Sequence, residues 1–407
     1  MRLGKRKNNI LRFSLCHISF LIFFTIPYVF INTFLLSFSN DSEIHITVIY
    51  NIVTFICTPI AMHFASMVSK HMPIKRIAQI GVMLYCADYA ILVIFKEKVL
   101  EFYPVIGILM GCAAGFYWLC YNIMLDILLD DDNRDKVIGL LTVAYCIITL
   151  AAPLLSGWFI SNMEGSSGYI AVFIFSFVVA IITMFLLGFL PDSRGQKVKN
   201  PFKTAYRGVR ENKSWRSALI ASLFMGIREG AIQFILAIMV FKLVDDEFLV
   251  GVNTFAAGLG AVISSLLISF LVKPKNRIKF MTVAVSALMV CAVLFVYFSV
   301  NKLSFISFAE IIIIFSVIDG FLQKFITNPV TSIVYYSLDT FDNLADYRNE
   351  YLTCREVFLD AGRAIGAVLF LLLPGGIVYM TAGVLIMTAV QYLTILYCKR
   401  TLSVNGK

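Results

Sequence analysis

The stretch from Ser217 to Phe241, SALIASLFMGIREGAIQFILAIMVF, is an apolar run long enough to cross a bilayer, and it has two charges at its midpoint. These charges belong to Arg228 and Glu229. A charged side chain at that depth costs at least ~2.5 kcal/mol on insertion scales, so each needs a partner or a water-filled cavity. Adjacent helical residues diverge by about 100°, so at least one of the two must reach another helix. The stretch therefore predicts a polar interior shared between helices.

The composition indicates a polytopic membrane protein. Of the 407 residues, 59% are hydrophobic and only 14% are charged, and the mean hydropathy is +0.85. Soluble globular proteins are much less apolar. Apolar runs of about 20 residues recur along the whole chain and leave no room for a soluble domain. The nine cysteines have neither metal-type nor redox-type spacing, so we interpret them as free thiols in the core.

The apolar runs predict an all-α fold with twelve transmembrane helices arranged as two six-helix halves. The N-terminal half covers residues 1–190, a basic linker covers 191–216, and the C-terminal half covers 217–407. The first run is too long for the core of a signal peptide, so it is kept as a span. The predicted spans are 13–37, 44–68, 76–95, 101–125, 137–160, 169–190, 217–241, 248–272, 278–300, 303–332, 353–373 and 377–398.

The distribution of lysine and arginine predicts that both termini are cytoplasmic. With the amino terminus inside, the inner segments collect 27 of the 34 basic residues and the outer loops hold four. The net charge of +9 is then a topology signal and an attraction to anionic membrane lipids, and nothing suggests nucleic acid. In the linker, Phe202, Tyr206 and Val209 share one helical face. This pattern predicts a short helix on the inner leaflet, and a flexible solvated linker is the alternative.

The chain resembles the major facilitator superfamily over its whole length, with twelve spans in two sixes, an inside amino terminus and a long basic central loop. The loop after span two keeps only the basic character of the family's motif, at Lys75 and Arg76. In span five, Ala152-Pro153-Leu154-Leu155-Ser156-Gly157 resembles the G-P-x-x-G core of that family's exporters. The resemblance implies a secondary transporter of the plasma membrane that works by alternating access and leans to efflux. It further implies a monomer with a small-molecule substrate and no cofactor or enzymatic activity.

Ionisable residues inside the predicted spans are the candidates for proton coupling, because buried charges in a helix bundle often mark proton or substrate pathways. Glu229 is the preferred carboxylate, and Asp319 is the second candidate. Arg228 or Lys324 is expected to supply the opposing charge. Protonation neutralises a carboxylate and lowers the cost of occluding it, so that one half can move against the other.

Two further groups of residues complete the predicted site. Residues four and three apart lie on one helical face, so Glu356, Asp360 and Arg363 are interpreted as an ion-pair ladder at a cytoplasmic gate. An aromatic and polar cavity is predicted for an organic, partly apolar or cationic solute. Its expected lining residues are Tyr28, Tyr117, Trp118, Tyr121, Asn122 and Gln233, although any one aromatic is more often ordinary packing.

Two acidic loops leave an alternative of another class open. Asp131-Asp132-Asn133-Arg134-Asp135 has D-D-x-x-D form, and Asp339, Asp342 and Asp346 have D-x-x-D-x-x-x-D form. Such clusters hold magnesium on a diphosphate in intramembrane prenyltransferases, whereas solvated loops explain them more simply. The chain has no phosphate-binding loop for ATP, and no protein-bound metal is expected. Lipid translocation on the same fold is a third possibility.

Overall fold

The computed structural model describes residues 2–38, 44–128, 131–194, 201–244, 246–301, 306–373 and 376–404. Within these ranges it describes all side chains except those of 2–7, 126, 131–136, 138, 201 and 345. The described residues form helices and connecting turns without a strand, which confirms the predicted all-α class. All nine cysteines are free thiols, as predicted.

Six long helices precede the linker and six follow it. The first six are α1 (Arg2–Ser37), α2 (Ile44–Ser69), α3 (Ile74–Phe95), α4 (Tyr103–Leu128), α5 (Asp131–Ser161) and α6 (Ser167–Gly188), with a 3-10 turn at Lys96–Glu101. After the short α7 (Pro201–Glu211) come α8 (Lys213–Val244), α9 (Glu247–Leu271), α10 (Arg277–Val300), α11 (Phe308–Leu338), α12 (Leu344–Leu371) and α13 (Ile377–Val404), with a 3-10 turn at Pro274–Asn276.

Each predicted span coincides with one long helix. Among the described residues, ten helices are long and apolar enough to cross a membrane by length and composition. The other two long helices are α11 and α12, whose sequences carry several charged residues. Those charges include five of the seven charged residues of the predicted site, and the other two, Arg228 and Glu229, lie on α8.

The chain divides into two compact units, Met1–Lys199 and Asn200–Lys407, so that α7 belongs to the second. The helix predicted in the linker is therefore present, although residues 195–200 lie outside the described residues. Its buried face is formed by Ala205 and Gly208, and Tyr206 is exposed. The glycine permits close approach, because a Cβ there would lie 3.0 Å from the ring of Phe341.

The junction between α7 and α8 is fixed by side chains of the second unit. Asn212 caps α8, since its Oδ1 accepts a hydrogen bond of 2.9 Å from the backbone N–H of Trp215. Its amide Nδ2 donates to Thr340 Oγ1 at 2.8 Å. Trp215 is fully buried and packs edge-on against the rings of Phe341 and Tyr351. The segment after Pro201 is therefore folded onto its own unit.

The two units repeat one packing scheme. In the first, the most extensive contacts join α2 to α4, α3 to α4 and α6, and α1 to α5 and α6. In the second, they join α9 to α11, α10 to α11 and α13, and α8 to α12 and α13. Each of these helix pairs in the first unit thus has a counterpart in the second, in which both helix numbers are higher by seven. Parallel repeats produce this relation.

Glycines set the closest helix crossings in both units. In the first, Gly107, Gly111 and Gly115 of α4 each face a backbone carbonyl oxygen of α2, at 2.4 to 2.7 Å from where a Cβ would lie. In the second, the G-x-x-x-G motifs 226–230 on α8 and 362–366 on α12 face each other reciprocally. A Cβ on Gly366 would lie 1.8 Å from the Ile227 carbonyl oxygen. Small residues at this spacing allow helix backbones to approach closely in a membrane.

We expect Gly366→Ala to lower the unfolding temperature of the purified protein, because the added methyl group would overlap the Ile227 carbonyl and separate α12 from α8. Overpacking of this kind costs ~1 to 3 kcal/mol. Gly139→Ala is the matched control, since a Cβ at this helical glycine meets nothing within 4 Å. The control should be as stable as the parent or slightly more stable. Fluorescence-monitored unfolding that shows equal losses in both variants would contradict the crossing as the cause.

Candidate functional site

Arg228 is buried in the middle of α8 and forms an ion pair with Asp319 of α11. Its Nη2 donates to Asp319 Oδ1, and its Nε donates to Thr388 Oγ1 of α13 at 3.4 Å. The Arg228 side chain is only 1% exposed and that of Asp319 is 10% exposed. A buried charge is tolerated when a partner neutralises it. The pair therefore ties three helices of the second unit together.

Glu229 forms a second, more accessible network with α12. Arg363 donates to Glu229 Oε2 from Nη2 at 2.9 Å and from Nε at 3.2 Å. The same guanidinium donates from Nη1 to Asp360 Oδ1 at 2.8 Å. The Glu229 and Arg363 side chains are 23% and 27% exposed, whereas Asp360 is 2% exposed. Arg363 is thus shared between one partly accessible carboxylate and one buried carboxylate.

The structure corrects the predicted pairing of Glu229. Its partner is Arg363, which we predicted to belong to a cytoplasmic gate. Arg228 pairs instead with the second candidate carboxylate, Asp319. The reason is the divergence of adjacent helical side chains, which sends Arg228 and Glu229 to different neighbouring helices. Lys324 is half-buried on α11 and forms no ion pair within the described part of the chain.

Only one ion pair of the predicted ladder on α12 is present among the residues that the structure describes. Asp360 and Arg363 pair as expected for residues three apart. Glu356 instead pairs with Arg355, its immediate neighbour, and acts on Arg363 only electrostatically. Gln233, one turn beyond Glu229, is exposed. The gate role of these residues and the cavity role of Gln233 remain predictions.

The predicted aromatic residues of the first unit lie together where α1 packs near α4. Phe20 stacks on Tyr117 with ring centroids 3.5 Å apart. Trp118 presents its edge contacts to Phe20 and Tyr121 at 5.5 and 5.6 Å. Tyr117 is buried, and the other predicted lining residues of this unit, Tyr28, Trp118, Tyr121 and Asn122, are half-buried. Partly accessible aromatic faces are suited to binding a planar or cationic solute.

His17 is a member of this cluster that sequence reasoning missed. Its Nδ1 lies 3.2 Å from the Tyr117 hydroxyl, and its ring stacks on Tyr121 at a centroid distance of 4.0 Å. The signal was present, because His17 precedes Phe20 by three residues and Phe24 by seven, on the same face of α1. A histidine within an aromatic run was the feature to notice.

Other charged residues of the predicted spans and loops have structural explanations or lie outside the described side chains. Glu310 forms a capping box with Ser307 at the start of α11, accepting from its backbone N–H at 2.7 Å. The side chains of Asp131, Asp132 and Asp135 lie outside those described. Asp339 caps the end of α11 and Asp346 lies in the first turn of α12.

Comparison with known proteins decides the family. The family model of the Major Facilitator Superfamily matches residues 13–367. The chain belongs to this superfamily. Its members are secondary transporters, so the chain is a multi-pass membrane protein of that class, and membership does not favour the prenyltransferase alternative.

Several known proteins are similar to this superfamily member. The uncharacterized protein YqgE of Bacillus subtilis (strain 168) is 26% identical over 328 residues, which cover 80% of this chain and 74% of YqgE. A crystal structure of a mutant of the nucleoside transporter NupG is similar with a TM-score of 0.71 at 11% identity, covering 97% of this chain and 99% of NupG. The crystal structure of the D-xylose-proton symporter is similar with a TM-score of 0.70 at 12% identity, covering 94% of this chain and 97% of the symporter. At these identities the structures show a shared fold alone.

We expect Asp319→Leu to destabilise this transporter strongly, because it leaves the Arg228 charge buried and unpaired. Breaking a buried pair costs ~3 to 5 kcal/mol. The double variant Arg228→Met with Asp319→Leu should recover most of the loss, since both charges are removed together. Asp192→Asn is the control, because it breaks an ion pair with Lys75 whose aspartate is 70% exposed, and such pairs contribute ~0 to 1 kcal/mol. Unfolding measurements in which the double variant is no better than the single one would contradict this account.

Proposed function

We propose that this secondary transporter couples the movement of its solute to protons through Glu229. The observation that carries the proposal is the Glu229–Arg363–Asp360 network within α8 and α12. A proton-coupling carboxylate must exchange its proton with water and must change its interactions when it does so. The 23% exposure of the Glu229 side chain supports the first requirement, and the two hydrogen bonds that it accepts from one guanidinium support the second.

Protonation of Glu229 would change the balance within this network. A new O–H bond forms on the carboxyl, its negative charge is lost, and the charge-assisted hydrogen bonds from Arg363 weaken. Arg363 then keeps Asp360 as its anionic partner on the same helix. The link between α8 and α12 at this level is therefore strong without the proton and weak with it. A proton that binds one arrangement better than another shifts the equilibrium between them by that difference in affinity.

Asp319 is the second candidate for proton coupling, and its surroundings make it a less suitable candidate than Glu229. Its partner Arg228 is 1% exposed, so protonation of Asp319 would leave a buried arginine without its counter-ion. That cost opposes proton uptake at Asp319 and favours a permanent ion pair. In this proposal Arg228 holds Asp319 in its charged form, and Lys324 has the lesser role of adding positive charge on α11.

The proposed solute is a small organic molecule with a planar or cationic part. The support is a cluster that combines the half-buried rings of Trp118 and Tyr121 with the buried Tyr117 hydroxyl and the buried His17 imidazole. Aromatic faces attract cations and stack on planar groups, while a few polar atoms fix orientation. Tyr28 and Asn122 would extend this surface along α1 and α4.

Export is the proposed direction, and alternating access is the proposed mode. The support for export is the resemblance of residues 152–157 to the exporter motif, with Pro153 inside α5 and Gly157 buried. Two proteins of this fold, the D-xylose-proton symporter and the E. coli fucose:proton symporter, are named for coupling to protons. They support the coupling part of the proposal and say nothing in favour of export.

The proposed setting is the plasma membrane, with both termini and the 191–216 segment on the cytoplasmic side and the protein acting as a monomer. The basic residues of the predicted inner segments support this orientation. On α7, Lys203, Arg207 and Arg210 are exposed and would attract anionic headgroups of the inner leaflet. The α12 residues Glu356, Asp360 and Arg363, for which a gate role is proposed, lie 12 to 19 residues after the cytoplasmic start of that helix at Leu344.

We expect Glu229→Gln to abolish proton movement while leaving folding and solute binding largely intact, because glutamine keeps the shape but cannot exchange a proton at neutral pH. Proteoliposomes containing a pH-sensitive dye would be challenged with nucleosides, monosaccharides, dipeptides and lipophilic cations under an imposed pH gradient. Glu164→Gln is the matched control, since Glu164 lies in the exposed turn between α5 and α6. Normal coupling in Glu229→Gln would discard the assignment.

We expect Trp118→Ala to weaken binding of whichever solute that screen identifies by about 2- to 12-fold. Loss of one stacked aromatic contact removes ~0.5 to 1.5 kcal/mol, and 1.4 kcal/mol corresponds to a factor of ten. Trp158→Ala is the matched control, because Trp158 lies on α5 and is 57% exposed. Equilibrium binding to purified protein would decide, and equal affinities of the two variants would exclude Trp118 from the site.

A further inference from the structure

Asp88 is a fully buried carboxyl in the interior of α3 to which the described part of the protein supplies no hydrogen bond. Its exposed fraction is 0%, and neither carboxyl oxygen has a partner among the described residues. It lies seven residues after Gly81, on the face that packs against α4. A Cβ on Gly81 would lie 3.0 Å from the Ala113 carbonyl oxygen, so the two helices are in close contact there. The carboxyl is therefore enclosed within the first unit.

Among the described residues, the surroundings of Asp88 contain hydroxyl groups and no positive charge. Asp88 acts electrostatically on Tyr50 of α2 and on Tyr85 and Tyr89 of α3 itself, and Tyr28 of α1 lies near Tyr50 and Tyr85. No described basic side chain acts on it, and no titratable group of α4 or α6 does so. The Tyr85 hydroxyl is also buried without a partner, whereas the Tyr89 hydroxyl donates to the Phe23 carbonyl oxygen at 3.1 Å.

The basic residues of α3 and of the turn after it are too far from Asp88 to serve as counter-ions. Lys75 and Arg76 lie 13 and 12 residues away, and Lys75 is also engaged by Asp192 at 3.0 Å and by the carbonyl oxygens of Gly188 and Leu190. At the other end, Lys96 follows Asp88 by eight residues, which is about 12 Å along a helix axis. An anion here would have no access to bulk water, and no described donor or cation is in contact with its oxygens. A neutral carboxyl avoids most of that cost.

We propose that Asp88 is a proton-binding site of the first unit, and that in the arrangement described here its carboxyl carries the proton. The protonated carboxyl carries no charge, so its burial without a cation costs much less than burial of the carboxylate. A proton suits the site better than a metal cation. Only three oxygen atoms there are known to lack partners, the two of Asp88 and that of Tyr85, whereas hard cations take six or more oxygen ligands.

This site deepens the proposed function by giving the first unit a proton-binding group of its own, and it rests on that function only for the exchange step. Release of the proton requires water to reach Asp88, so the contacts of α3 with α1 and α4 must first open. Ionisation is thereby linked to a rearrangement of the first unit. Two contacts would break. One is the hydrogen bond from the Tyr89 hydroxyl to the Phe23 carbonyl oxygen, and the other is the close approach of α4 at Gly81.

Infrared spectroscopy of the reconstituted full-length protein tests the proposal without a solute or a pH gradient, so its outcome is independent of the Glu229 experiment. At pH 7 the wild type should show the carbonyl band of a protonated carboxylic acid, shifted by deuterium oxide and by 13C-labelled aspartate. Asp88→Asn should lose this band, and Asp192→Asn should keep it. Absence of the band from the wild type, or its persistence in Asp88→Asn, would overturn the proposal.

Two further arms keep the test decisive. Replacing KCl by NaCl at constant ionic strength should leave the band unchanged, because loss of the band would identify a sodium site and overturn the assignment to a proton. If Asp88→Asn does not fold, Asp88→Glu replaces it. In that variant the band should respond to labelled glutamate and no longer to labelled aspartate, and a band that still follows aspartate would contradict the site.

Discussion

Hydrocarbon offers no partner to a charged side chain, so Arg228 and Glu229 can lie in the middle of α8 only because neighbouring helices bring opposite charges to them. The close crossing of α8 and α12 is what makes this possible for Glu229. A Cβ on the next residue, Gly230, would lie 2.0 Å from the carbonyl oxygen of Arg363, so the arginine backbone passes directly beside the glutamate. Any larger residue at that position would move the guanidinium away. The glycine motif and the ion pair are therefore one structural device.

Three aspartates of this chain show how far the neighbourhood determines what a buried carboxyl does. Asp319 is paired with an arginine that has almost no access to water, which favours a fixed charge. Asp360 shares its arginine with Glu229, so its environment depends on the state of another carboxyl. Asp88 has no described partner at all. Residue type and burial are nearly the same in the three cases, and only the neighbouring groups separate them.

Sequence reasoning succeeded where a single helix contains the information. The apolar length of each span, the amphipathic helix at 201–211 and the candidate charges of α8, α11 and α12 all follow from local patterns. Pairing partners depend instead on which helices are neighbours and on their rotation, and neither is encoded within one span. This is why Glu229 was assigned to Arg228 or Lys324 and not to Arg363. The G-x-x-x-G motifs can be read from the sequence, but only the structure shows that they contact each other.

The repeated packing scheme makes the chemical difference between the two units informative. Counterpart helix pairs occur in both, including glycine-mediated crossings of α2 with α4 and of α9 with α11. The same helix packing occurs in a unit with buried ion pairs and in a unit with an aromatic cluster. The packing therefore requires neither of these features. Yet the second unit has ion pairs joining α8 to α11 and α12, while α1 and α4 of the first present stacked rings around His17. The Glu229–Arg363 pair and the ring cluster around His17 are features that the shared frame does not need, and the proposed function rests on them.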